Sequence, residues 1–248
     1  MIFDRFKDKL AILPLEGPIM EGQGPSIFPS FMQSSISRAE EYLDEISKNK
    51  RYKGLILEIN SPGGSPYKSK RLAQKVEKLD LYKVARIKEQ GTSGAYWIAA
   101  ACDKIVADEL SNVGSIGTIS VRPDFSEFLK NLGIKMDIEV KGKFKGQGLP
   151  FSEISDEEKE RRKEVLEEIN EMFKDYIKRK RDVNEETDVL EGKVFLGREA
   201  KEVDLIDYLG DRDKAIEVFE QETGMRDLTI KDFKKEIEKG PSLLDFFR

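Results

Sequence analysis

Three stretches of this 248-residue chain carry side chains that could do chemistry, and glycine punctuates each of them. The first is Gln90-Gly91-Thr92-Ser93-Gly94-Ala95-Tyr96-Trp97. It follows the extended run 84–87 and opens an apolar run to Ala101, so a strand is expected to turn sharply into a helix at Ser93. A serine at a helix mouth can expose its hydroxyl beside backbone N–H groups that have no intrahelical acceptor. That suits a nucleophile next to an oxyanion hole; it also suits an ordinary helix N-cap. The second stretch is Asn60-Ser61-Pro62-Gly63-Gly64-Ser65-Pro66, which closes the apolar run 54–59. Adjacent glycines allow positive φ and let a ligand approach bare N–H groups, although they also make plain turns. The spacing of a nucleotide-binding P-loop is absent. The third is Lys141-Gly142-Lys143-Phe144-Lys145-Gly146, three lysines alternating with other residues. Most lysines are solvated charges; one that entered an apolar pocket would give up its proton more readily and could serve as a base. Spacing alone does not choose among the three.

Composition narrows the chemistry. The chain has no histidine, so neither a Ser-His-Asp triad nor a Cys-His pair can be built from it. A histidine-ligated zinc site is excluded too, and the single cysteine cannot replace it. If Ser93 is a nucleophile, its base must be a lysine, a carboxylate or a group from another chain; Ser-Lys pairs are a known variant. The formal net charge of −5 argues against a general nucleic-acid surface. Cys102 lies among small apolar residues and reads as a buried structural thiol. No run approaches about 18 consecutive apolar residues, so no membrane-crossing segment is expected. Nor do residues 1–6 hold the apolar core of a signal peptide.

These stretches need elements to hold them. Residues 9–14 read as a short strand ended by Pro14. Ile36, Ala39, Tyr42, Leu43 and Ile46 recur at helical spacing. The run 54–59 is a continuous apolar strand of the parallel-sheet kind, and Leu72, Val76 and Leu79 return to helical spacing. Residues 104–107 form another strand, and Gly114-Ser115-Ile116-Gly117 is a turn expected to lead into a further one. A short helix is expected after Pro123, and the alternation in 136–140 reads as a strand. A long amphipathic helix is expected at about 155–181, with a capped acidic start at Ser155 and an apolar stripe through Val165, Leu166, Ile169, Met172, Phe173 and Ile177. Short elements follow around 193–219, and the signal weakens from Gln221. The expected organisation is one domain over 1–222 and an extension over 223–248, ending in the apolar segment Leu243-Leu244-Asp245-Phe246-Phe247. Strands alternating with helices in this way argue for an α/β domain.

Taken together, Asn60-Ser61-Pro62-Gly63-Gly64, Thr92-Ser93-Gly94-Ala95-Tyr96, Ala101-Cys102-Asp103-Lys104-Ile105, Gly114-Ser115-Ile116-Gly117, 141–145 and 197–207 resemble the SppA-type signal peptide peptidases, in family order and in the short, single-repeat form. The resemblance implies a ClpP/crotonase-like fold of repeated ββα/βαβ units and a serine endopeptidase with a Ser-Lys dyad. Ser93 falls on the nucleophile, Lys145 on the general base, and Ser115 on a serine that hydrogen-bonds the base. Gly63 and Gly64, with the N–H at Gly94, fall where the oxyanion is held; Asn60 falls in the same loop and is expected to fix it. No metal or cofactor is implied. The implied partners are apolar or unfolded peptides, such as signal peptide remnants, and further copies of the chain in an octamer whose dyad is shared between subunits. The implied setting is cytoplasmic or membrane-associated. Alternatives are a crotonase-like acyl-CoA enzyme that uses the glycine N–H groups without a covalent nucleophile, and a silent assembly protein. The chain departs from the family pattern at Ala95, Trp97, Gly146 and Asp204.

Overall fold

Leucine, isoleucine and alanine alternate faces along the first strands, and both faces are buried. This is the pattern of a parallel sheet covered on two sides. The computed structural model describes residues 7–20, 35–184 and 187–234. The strands are β1 (Lys9–Glu16), β2 (Tyr52–Ser61), β3 (Tyr82–Thr92), β4 (Lys104–Ala107), β5 (Asn112–Gly114), β6 (Val194–Leu196), β7 (Tyr208–Leu209) and β8 (Thr229–Asp232). They form one sheet in the order β6-β5-β3-β2-β1-β8, with β4 pairing β3 and β7. The pairings are parallel except for β5 with β6. The long β3 serves two neighbours: residues 84–87 pair β4 and 90–92 pair β5.

Helices α1 (Ser35–Lys48), α2 (Pro66–Glu77) and α3 (Gly94–Ala99) pack on one face. There Leu43, Leu72, Val76 and Ile98 meet Leu13, Leu57 and Ile87. The other face is covered by α7 (Arg212–Thr223), whose Val218 and Phe219 meet Ile12, Ile56 and Val84. Asp211 caps α7 by accepting from the N–H groups of Asp213 and Lys214, and Gly224 ends it at φ +70. The short α6 (Gly197–Glu202) follows β6 and is succeeded by Asp204 at φ +59, a left-handed position that aspartate tolerates better than most residues.

By Cα proximity the chain divides into two units. One holds the described residues of Met1–Gly117 and Phe173–Arg248; the other is Thr118–Met172. The second unit contains α4 (Ser126–Asn131) and the first part of α5 (Asp156–Lys180). Ser155 starts α5 with a reciprocal capping box: its hydroxyl accepts from Glu158 N–H, and the Glu158 carboxylate accepts from Ser155 N–H. Arg122 ties this unit together by donating to the carbonyls of Leu149 and Ser152.

Several expectations need correction. No strand follows Gly117, and 136–140 form none. The alternation is there, but a strand needs a ladder partner, and Met136, Ile138 and Val140 are exposed and have none among the described residues. Nor is the α5 stripe continuous: Phe173 and Ile177 are buried, whereas Val165 and Met172 are exposed. Pro14 does not end β1, which runs on to Glu16. The Ile12 carbonyl accepts from Phe233 N–H on the β8 side, and Pro14, two residues on, faces the same side. Pairing with β8 stops at Ile12, so no ladder donor is missed at the proline. Beyond residue 222, β8 extends the sheet beside β1, and Phe233 is fully buried. The expected apolar tail at 243–247 lies outside the described residues. Among the described residues, no helix is long and apolar enough to cross a membrane.

Cys102 is buried at the end of the α3 segment, and burial pushes its thiol well above the usual range. The expected result is that a disulfide reagent such as dithionitrobenzoate modifies native protein very slowly and modifies it stoichiometrically in denaturant. Fast labelling of the native chain would refute this burial.

Candidate active site

β2, β3 and β5 are parallel, so their C-terminal ends open on the same edge of the sheet, where ligands of open α/β sheets bind. Each ends in one of the glycine turns singled out above. Thr92 and Gly114 are register partners, and the next residue of each strand is a serine with positive φ: Ser93 at +54 and Ser115 at +51. Non-glycine residues rarely take this conformation, and two side by side mark a constrained site. Ser93 N–H donates to Gly114 C=O at 2.7 Å, and Ser115 N–H donates to Lys193 C=O at 2.8 Å. Both turns are therefore fixed by the sheet's own neighbours.

Ser93 is the residue before α3, yet its side chain makes no capping bond. Its backbone, at φ 54 and ψ −128, is not that of a usual N-cap. The residue is partly exposed. Gly94 opens α3, and among the described hydrogen bonds its N–H has no acceptor. A side chain there is barred: a Cβ on Gly94 would lie 2.1 Å from the hydroxyl of fully buried Ser69.

The β2 turn packs directly against this one. A Cβ on Gly63 would lie 2.6 Å from Gly94 N and 3.0 Å from Ser93 Cβ. A Cβ on Gly94 would lie 3.5 Å from Gly64 N. The two glycines differ in what their N–H groups do. Gly63 N–H donates to the hydroxyl of Ser61 at 3.1 Å, whereas Gly64 N–H has no acceptor among the described hydrogen bonds. So the bare donors at this edge belong to Gly64 and Gly94.

Among the described residues the buried Oδ1 of Asn60 has no donor, and its backbone carbonyl accepts from Gly17 N–H. The holding hydroxyl is that of Ser61, which the sequence reading passed over. A signal existed, since a serine two residues ahead of a glycine at a strand end can close a local side-chain turn.

Ser93, Ser115, Asn60, Gly63, Gly64 and Gly94 all lie in the first unit. Lys145 lies in the second, where its N–H donates to Gly142 C=O at 3.0 Å and its side chain is exposed. Its neighbour Lys143 pairs with Glu157 at 2.5 Å.

Behind the site, Trp97 of α3 stacks on Phe173 of α5, with ring centroids 4.4 Å apart. Tyr96 donates its hydroxyl to Leu205 C=O at 2.7 Å across the core, and burial pushes its ionisation far up, so it acts as a neutral donor. Arg181, just past α5, pairs with Asp207 at 2.8 Å, and Asp207 also accepts from Ile105 N–H.

A mostly parallel α/β sheet with a strained serine at a strand–helix turn, beside N–H groups unengaged among the described residues, marks a candidate hydrolase site. Residues 82–226 match the family model described as Peptidase family S49, and the chain belongs to that family. It is 35% identical over 228 residues to a candidate protease of Methanocaldococcus jannaschii, spanning 88% of this chain and 71% of that one. It is 31% identical over 199 residues to a candidate signal peptide peptidase SppA of Enterococcus faecium, spanning 78% of this chain and 58% of that one. Among solved structures it is similar to a membrane-bound stomatin-specific protease held in complex with a substrate peptide. The TM-score is 0.50 at 11% identity, covering 98% of this chain and 96% of the other. That likeness carries the fold, the ClpP-like architecture expected above.

Proposed function

We propose that this chain is a serine endopeptidase in which Ser93 is the nucleophile and Lys145 its general base. The observation that carries the reading is an uncapped serine hydroxyl at the α3 entrance, with the unengaged N–H groups of Gly64 and Gly94 beside it. The neutral amine of Lys145 takes the Ser93 proton as Oγ adds to the peptide carbonyl. The carbonyl oxygen becomes an anion and is met by the two N–H groups; one such donor contributes about 3–4 kcal/mol to a transition state of this kind. The ammonium of Lys145 then returns its proton to the leaving amine, and the peptide C–N bond breaks. Water, activated by the same amine, hydrolyses the ester. Ser115 aims the amine without adding charge. Substrates are apolar or unfolded peptides, signal peptide remnants among them, in a cytoplasmic or membrane-associated setting.

In the octameric arrangement that the family resemblance implies, neighbouring copies share the dyad. Mixing Ser93→Ala chains with Lys145→Ala chains is expected to restore hydrolysis that neither shows alone. Absence of any recovery in co-assembled oligomers would overturn the shared arrangement. The nucleophile itself is tested by a fluorophosphonate: stoichiometric labelling at Ser93, read by peptide mapping, supports the peptidase. An unlabelled Ser93 in a chain that turns over acyl-CoA would favour noncovalent use of the same N–H groups.

A further inference from the structure

Two successive peptide planes meet at Gly63, and each is gripped. On one side of Gly63, the Pro62–Gly63 plane is held at its N–H, which donates to the hydroxyl of Ser61, a residue with no exposed surface. On the other, the segment after β1 runs parallel to the turn as an isolated bridge between Ile19 and Gly64. Ile19 N–H donates to Gly63 C=O at 2.8 Å, and Ser65 N–H donates to Ile19 C=O at 2.6 Å. The plane joining Gly63 to Gly64 is trans, so its C=O and N–H point opposite ways. Ile19 holds the carbonyl; the Gly64 N–H must therefore point away from the Ile19 strap, on the side where Gly94 lies. There is no slack in this arrangement, since a Cβ on Gly64 would lie 2.1 Å from Ile19 C=O.

The pairing of β2 with β3 puts Ser61 where it can do this. Between the pairs Ile59–Ile87 and Ser61–Gly91 the register shifts, with β3 carrying the extra residues. Irregularities of this kind re-aim side chains near active sites.

We propose that Ser61 and the Ile19 strap are positioning elements that fix the two peptide planes meeting at Gly63, so that Gly64 N–H is aimed as an oxyanion donor while Gly63 N–H is engaged by Ser61. The inference rests on the peptidase reading above and goes beyond it by naming which donor acts and what aims it. A donor that meets only the developing anion lowers kcat and leaves ground-state binding alone. Ser61→Ala frees Gly63 N–H, so the Pro62–Gly63 plane can turn and the Gly63–Gly64 plane keeps only the Ile19 strap. The expected loss is about 10- to 100-fold in kcat with KM within about twofold, below the loss from deleting a donor outright. A peptide boronate, whose adduct with Ser93 is a tetrahedral anion, is expected to lose affinity in the same proportion. Ser61→Thr keeps the hydroxyl and is expected to recover most of both.

A second pair of variants covers the case in which Ser61→Ala does not fold. Ser65 has φ −53, which proline adopts. Ser65→Pro removes the N–H that holds Ile19 C=O, while Ser65→Ala removes only the side-chain cap of α2. Ser65→Pro is expected to lose kcat and boronate affinity relative to Ser65→Ala. Folded Ser61→Ala or Ser65→Pro chains with wild-type kcat and boronate affinity would overturn the proposal while leaving Ser93 as nucleophile. A wild-type chain that neither hydrolyses peptide nor reacts with phosphonate would overturn the peptidase reading, and this proposal with it.

Discussion

Ser93→Ala is expected to lower the hydrolysis of a fluorogenic apolar peptide by at least about 10³-fold, a loss of roughly 4 kcal/mol in transition-state stabilisation. Lys145→Ala is expected to fall just as far. Groups that act as one device are strongly non-additive, so the double variant should be no worse than either single one. What remains in all three is the rate supplied by substrate binding and the Gly64 and Gly94 donors. Alanine at 93 keeps the backbone constraint and removes only the hydroxyl, so melting temperatures should stay close to wild type. A Lys145→Ala chain that keeps a tenth of the activity, or a double variant far below both singles, would remove the lysine from the dyad.

Glu58→Ala is expected to produce the largest loss of stability among single changes outside the hydrophobic core. Glu58 lies in mid-β2 on the face covered by α7 and is only 3% exposed. Its carboxylate accepts from Arg212 Nε at 2.8 Å and from a second guanidinium nitrogen of the same residue. Arg86 Nη1 lies 3.7 Å from it, and Arg212 reaches on to Asp232 of β8 at 2.9 Å. Removing the carboxylate leaves two guanidinium groups facing each other over apolar strands. Breaking a buried pair costs about 3–5 kcal/mol, and the partial exposure of Arg212 argues for the lower end. At about 3 kcal/mol, the melting temperature of a chain this size should fall by roughly 6–12 °C. Arg212→Ala should also speed amide exchange at 229–232, because it unties β8 from β2. Unchanged melting of Glu58→Ala would show that the network contributes nothing to stability.

The strand–turn–helix units were legible because each couples two strong local signals: an apolar run and a change of period at glycine. That is why β2, α2, β4 and the Ser93 turn lie close to where the sequence puts them. Harder to read was whatever depended on a partner distant in sequence. The alternation in 136–140 specifies a two-faced segment, but only a neighbouring strand could make it a ladder. β8 has a short, polar sequence, and its place is set by the open edge of β1 and by Phe233. At the site, spacing brought out Gly63 and Gly64 as a pair, and the family resemblance named Asn60 as their support. Separating the roles of the two glycines needed the peptide plane, and choosing Ser61 over its neighbour needed the register shift beside it.

The φ of +54 at Ser93 has a consequence for how such a chain can change over generations. Backbone held in so sparsely populated a region costs on the order of 1–3 kcal/mol, and glycine would relieve most of it. Ser93→Gly is therefore expected to be inert and yet more heat-resistant than its parent. Selection for heat resistance alone would favour glycine at 93, against any selection for a hydroxyl there.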